Sequence, residues 1–176
     1  MNMPIALLGT LMLLAGAAMP ARADVRPHEH GAVKVDVAID GAEMTVAVEM
    51  PLDSLVGFER APRNDAERKA AAEALAKMRA GDALWKPNAD AQCTLASAKV
   101  EAPVLEPGAK ASPGEHADLD ATYVWKCAQP GRLATLDVAL FDAFKRVKRV
   151  EVQVAGPKGQ SKTVLRAPAR EVRLTK

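Results

Sequence analysis

Only three histidines occur in the 176 residues of the chain, and two of them stand one residue apart in the stretch RPHEHGAVKVD, at His28 and His30. On an extended chain, residues two apart project to the same side with Cα atoms roughly 6.5–7 Å apart. Two imidazoles so spaced can converge on one ion, at metal–nitrogen distances of about 2.0–2.1 Å for zinc. The same spacing also arises where a polar fringe enters a strand, with no ligand involved. His116 is preceded by Glu115 and followed at period two by Asp118. His28, His30 and His116, with Asp118 or Glu115, would make a four-ligand zinc shell if the segment around His116 folded over the N-terminal arm. Nitrogen ligands without sulfur also suit copper(II) or nickel, and copper(II) outcompetes zinc thermodynamically. A ligating imidazole must be neutral, so any such site should weaken as the medium is acidified.

Catalysis finds no comparable pattern. The chain has no HExxH, no GxSxG and no phosphate-binding loop, the arrangements that supply a metal-bound water, an activated serine or a cradle for phosphate. Glu29 lies between the two histidines, on the opposite side of an extended chain, and is badly placed as a general base for them. The residues therefore point to a binding protein rather than an enzyme.

The elements that must position these residues begin after an N-terminal leader. Residues 5–18, IALLGTLMLLAGAA, are apolar and uncharged, too short a run to span a bilayer. Small residues around Ala21-Arg22-Ala23 suit a signal peptidase, so residues 1–23 read as a secretory signal and 24–176 as one exported domain. No later stretch is apolar enough for a membrane helix. Losing Arg22 with the leader leaves 23 basic residues, one fewer than the 24 of the whole chain, against 22 acidic ones. That near-balance gives no reason to expect nucleic acid or an anionic membrane as a partner. Cys93 and Cys127 are the only cysteines, and in an oxidising compartment they are expected to form a structural disulfide.

Along the exported domain, Val33, Val35, Val37 and Ile39 alternate with polar or small residues, as do Met44, Val46, Val48 and Met50. This is the period-two pattern of strands with one buried face. With Asp40-Gly41 as the turn, Val37 would face Met44 and Val35 would face Val46. His28 and His30 share the parity of Lys34 and Asp36, on the face opposite the valines. Asn64 followed by Glu67 resembles a capping box, and Ala71, Ala74, Leu75 and Met78 form a helical stripe that Gly81 should terminate. Residues 106–116 carry turn formers and no apolar anchor, and read as a mobile loop. Beyond them Leu119, Ala121, Tyr123, Trp125 and Cys127 line one side of another strand, and further short strands follow to Leu174. The expected fold is α+β: a mostly antiparallel β-sheet with one main surface helix, in a single domain.

The blocks HEHGAVKVDVAIDG, MPLDSLVGFERAPRNDAER, YVWKCAQPGRL and LFDAFKRVKRVEVQVAGPKGQ together resemble the ZrgA-like family of exported bacterial proteins. The resemblance covers nearly all of the exported domain. It implies a periplasmic zinc-binding protein accompanying an ABC-type zinc importer, with His28 and His30 as candidate ligands. It also implies a ligand-rich loop ending at His116. This chain departs from that pattern twice, for residues 106–115 contain no histidine tract and Arg60 stands where relatives often carry histidine. Both departures remove donors, so the expectation is one zinc site of weak to moderate affinity rather than a high-capacity buffer. The competing expectation is an envelope interaction module that binds no metal.

Overall fold

The computed structural model of the protein describes residues 29–106, 108–109 and 117–174. Its centre is the hairpin that the alternation foretells. β1 (Ala32–Asp40) buries Val33, Val35 and Val37, and β2 (Glu43–Pro51) buries Met44, Val46, Val48 and Met50. The register differs from the expected one by two residues: Ile39 pairs with Met44, Val37 with Val46 and Val35 with Val48. The turn is therefore Gly41-Ala42, closed by the Asp40–Glu43 pair. Gly41 takes φ +55°, the left-handed state that a type II′ turn asks of its first central residue. A shift of two leaves every side chain on its own face, so hydrophobic pattern alone cannot choose between the two registers.

Four further strands extend the hairpin. β4 (Cys93–Glu101) and β5 (Asp118–Cys127) lie on the β2 side, and β7 (Arg149–Gly156) and β8 (Gly159–Leu165) on the β1 side. The six strands run in the order β4-β5-β2-β1-β7-β8. All pairings are antiparallel except β1 with β7. A second sheet, β3 (Trp85–Pro87), β6 (Thr135–Val138) and β9 (Glu171–Arg173), has the order β3-β6-β9. One apolar core joins both sheets and the helices, and the α+β expectation holds.

The inner face of the large sheet is covered by α2 (Asp65–Arg79) and by the small sheet. The Asn64 side chain accepts from the Glu67 amide at 2.9 Å, and Ala71, Ala74, Leu75 and Met78 form the buried stripe. Tyr123 on β5 reaches both covering layers. Its hydroxyl donates to the Met78 carbonyl at 2.7 Å, and its ring lies 5.9 Å from that of Trp85. Gly81 is not the left-handed cap its position suggests. It opens the short α3 (Gly81–Leu84), and a Cβ there would sit 2.4 Å from the Tyr123 ring. Close approach of helix to sheet, not a positive φ, requires glycine at this point.

Strand directions decide which chemistry meets at each end of the sheet. Because β1, β5 and β7 run one way and β2 the other, the entrances of β1, β5 and β7 share an end with the exit of β2. The opposite end carries the hairpin turn and the disulfide between Cys93 and Cys127, which face each other across β4 and β5. Among the described residues, no helix is long and apolar enough to cross a membrane.

Candidate metal centre

The chain enters the sheet through a tight turn. The Ala32 amide donates to the Glu29 carbonyl at 2.9 Å, with Gly31 at φ +81°. This turn breaks the extended geometry on which the parity of His30 with Lys34 depends. His30 therefore does not continue the outer face of β1. It is turned toward α1 (Leu52–Val56), the five-residue helix into which β2 runs.

Two contacts fix that approach. The Gly31 amide donates to the Ser54 hydroxyl at 2.9 Å, and Ser54 is fully buried. The Gly31 carbonyl accepts from the amides of Lys148 and Arg149 at 2.8 and 3.0 Å, just before and at the start of β7. The backbone ahead of β1 is thus held between α1 and β7, and His30 has little freedom in where it stands.

At that position His30 lies between two carboxylates. Its Nε2 is 3.2 Å from Glu59 Oε1 and its Nδ1 is 3.9 Å from Asp53 Oδ2. The imidazole is 60% exposed and the Glu59 side chain only 18%, so solvent and ions reach the ring while the acid beneath it is sheltered. Asp53 divides its oxygens, for Oδ1 lies 3.9 Å from Arg146 Nη1.

The donor set fits a borderline cation such as zinc. Two ligands bound at about 2.0–2.1 Å on a tetrahedral ion lie roughly 3.3–3.4 Å apart, close to the 3.2 Å between His30 Nε2 and Glu59 Oε1. Asp53 lies on the side of the other ring nitrogen, 3.9 Å away. Since the two acids address opposite nitrogens, they cannot join His30 on a single ion. Accordingly, no group of three or more His, Cys, Asp or Glu side chains among the described residues could hold a metal ion. What the described residues supply is one imidazole facing a carboxylate at 3.2 Å, with a second carboxylate on its other side.

Of the four candidate ligands in the sequence, His28 and His116 lie outside the described residues. Asp118 opens β5 opposite Pro51, and the neighbouring Ala117 carbonyl accepts from the Leu52 amide at 3.0 Å, at the start of α1. The segment leading from His116 thus joins the sheet beside the same short helix that Gly31 and His30 meet. The acids set directly against His30 are Asp53 and Glu59. Spacing marks neither, although Asp53 lies in α1 and Glu59 just beyond its end, both inside the PLDSLVGFER block. Their role depends on a turn that spacing does not reveal.

Arg60, beside Glu59, does not carry its charge into the centre. Its guanidinium grips Glu67 of α2 through two bonds of 2.7 and 2.9 Å and lies 5.0 Å from the Phe58 ring centroid. Arg60, with help from the Arg63 amide, holds the Glu67 carboxyl down to about 2. On the outer face near the same end, Glu49, Asp120 and Glu101 stand in register on β2, β5 and β4. Partial burial, reinforced by these two like charges, pushes the Asp120 carboxyl up. Glu49 and Glu101 are each paired with a lysine, Lys34 at 2.7 Å and Lys99 at 2.8 Å, so most of the charge of this row is already balanced.

Sheet and site together define a small β-rich protein with an imidazole–carboxylate cluster at one sheet end. The model of the ZrgA family zinc uptake protein matches residues 27–174, and the chain belongs to that family. No curated protein matches it. Membership associates the chain with zinc uptake.

Proposed function

We propose that this protein is an exported, periplasmic zinc-binding protein that holds one zinc ion at the entrance of β1 and supports zinc acquisition as an accessory to an ABC-type importer. It is not an enzyme. The observation that carries the reading is the position of His30, whose Nε2 faces Glu59 at 3.2 Å while its other nitrogen is turned toward Asp53. In this reading His30 and Glu59 bind the ion, Asp53 fixes the ring, and His28 and His116 are the donors that complete the shell. A site with two or three protein nitrogens and few sheltered acids binds and releases zinc more readily than a closed structural site, which suits a carrier.

The test is a calorimetric zinc titration of the oxidised protein lacking residues 1–23. About one zinc should bind, His30→Ala should abolish binding, and Glu59→Gln should weaken it by roughly tenfold or more. Full-strength binding by His30→Ala would refute this centre. No binding by the parent protein would instead favour an envelope interaction module without metal.

A further inference from the structure

We propose that the free edge of β8 is a strand-pairing surface that joins two copies of this chain, edge to edge and antiparallel, into one continuous sheet. The six-stranded sheet ends in β4 on one side and β8 on the other, and the two edges are finished differently. The register of β4 with β5 shifts between Leu95 and Ser97. Both α2 and α3 lie against β4, with Leu95 close to Gly81. Bulges and covering helices are the means by which natural sheets keep an edge from pairing with another chain. β8 has neither. Its register with β7 runs unbroken from Val150–Leu165 to Gly156–Gly159, and β7 is the one element packed extensively along it among the described residues.

The β7–β8 hairpin decides which main-chain groups face outward. Pro157 and Lys158 form the turn, so Gly156 and Gly159 are the closing pair that exchanges main-chain bonds. Bonding alternates from there. Ser161, Thr163 and Leu165 bond to β7, while Gln160, Lys162 and Val164 turn their N–H and C=O groups to the open edge. No described segment outside the sheet takes these groups. Val164 also carries the one exposed large hydrophobic side chain among the described residues, at 47%. A lysine on an edge strand ordinarily repels a second strand, but Lys162 is drawn back over the sheet, its Nζ 2.5 Å from Glu151 Oε1.

Two-fold symmetry and charge select one register. Centred on Lys162, the pairing sets that lysine against itself, and like charges directly opposite are destabilising. Centres at Gln160 or Val164 set Lys162 against Lys158 or Arg166, with the same fault. A centre at Ser161 leaves Val164 opposite the turn residue Lys158. Centred on Thr163, each Lys162 lies opposite the other copy's Val164, and both pairs exchange main-chain bonds. The aliphatic stem of the lysine then covers the exposed valine in both copies, and Thr163 faces Thr163, a favourable cross-strand pair. The edge is thus complementary to itself, which makes a second copy its occupant. One strand edge buries less than about 1,200 Å² in total, so the dimer is weak, with a dissociation constant on the order of 100 µM.

Sedimentation velocity of the oxidised protein lacking residues 1–23, from about 10 µM to about 1 mM, should show a reversible monomer–dimer equilibrium. Val164→Pro removes an outward N–H and no bond to β7, so it should melt close to the parent and stay monomeric over the same range. Cross-linking reads the register without depending on that variant. Across the two-fold axis the Thr163 Cα atoms face each other at about 4.5 Å, within disulfide reach. Thr163→Cys should therefore link into covalent dimers under mild oxidation at least about tenfold faster than Ser161→Cys, whose Cα atoms lie beyond that reach. A parent that stays monomeric to the highest concentration overturns the proposal. So does undiminished dimerisation of Val164→Pro, or cross-linking of Ser161→Cys as fast as that of Thr163→Cys.

Discussion

The Gly31 amide and the Ser54 hydroxyl are joined at 2.9 Å, in a part of the molecule where Ser54 is fully buried. This one bond ties the residue after His30 to the helix that carries Asp53, so the spacing of the centre depends on a hydroxyl that no metal touches. Ser54→Ala leaves a buried amide without its acceptor, at a cost of about 1–3 kcal/mol. For a domain of this size the melting temperature should fall by roughly 3–10 °C. Zinc affinity should fall too, because the turn carrying His30 is then anchored from the β7 side alone. A Ser54→Ala protein that melts with the parent and binds zinc equally well would show that the bond positions nothing.

Arg60 makes a contrasting case. It is adjacent in sequence to a proposed ligand, yet its charge is spent on Glu67. Arg60→Ala should therefore change zinc affinity by less than about threefold, since one neutralised exposed pair contributes little at a distance. What it should change is acid tolerance. The Glu67 carboxyl is held down to about 2 in the folded protein, first by Arg60 and then by the Arg63 amide. A depressed carboxyl contributes stability that is fully present above its ordinary range and is lost as pH falls from there toward about 2. Chemical denaturation at a series of pH values should show the parent and Arg60→Ala differing most at neutral pH and converging below that window. A difference that stays constant down to the lowest pH would mean that packing against Phe58, not charge, is what Arg60 supplies.

These two cases mark how far the sequence alone could lead. Buried faces were readable because alternation at period two has only one physical meaning in a half-buried sheet, and Val33 to Val37 and Leu119 to Cys127 all lie where it puts them. The cap at Asn64 was readable for the same kind of reason, since side chain and amide are three residues apart in the chain itself. The hairpin register was not, because pairings two residues apart bury the same side chains. At the sheet entrance, His30 stood out as a candidate from its spacing to His28, and what the structure adds is its place between two carboxylates. Asp53 and Glu59 were not legible, because they meet it only through the turn at Gly31 and the return of the chain from β2. Arg146 lies more than a hundred residues from His30 and reaches the site only because β7 runs parallel to β1. No local pattern encodes that pairing.

Tyr123 supplies the last prediction and concerns the frame rather than the centre. Its ring fills the space left by Gly81, and its hydroxyl donates to the Met78 carbonyl at 2.7 Å. Burial pushes this hydroxyl up to about 12, with Trp85 beside it opposing the shift. The unfolded chain gives up the same proton near 10. Between these values the unfolded state binds fewer protons than the folded one, so the contribution is intact below about pH 10 and is lost as pH rises toward 12. Two units correspond to about 2–3 kcal/mol over that window. Tyr123→Phe should cost about 1 kcal/mol at neutral pH through the missing hydrogen bond, and should then lose stability less steeply than the parent above pH 10. Denaturant titrations at pH 8, 10 and 11.5 would resolve the two slopes. Parallel decline of both proteins would assign the alkaline instability to lysine deprotonation and loss of surface ion pairs, and would leave the Tyr123 hydroxyl with a packing role alone.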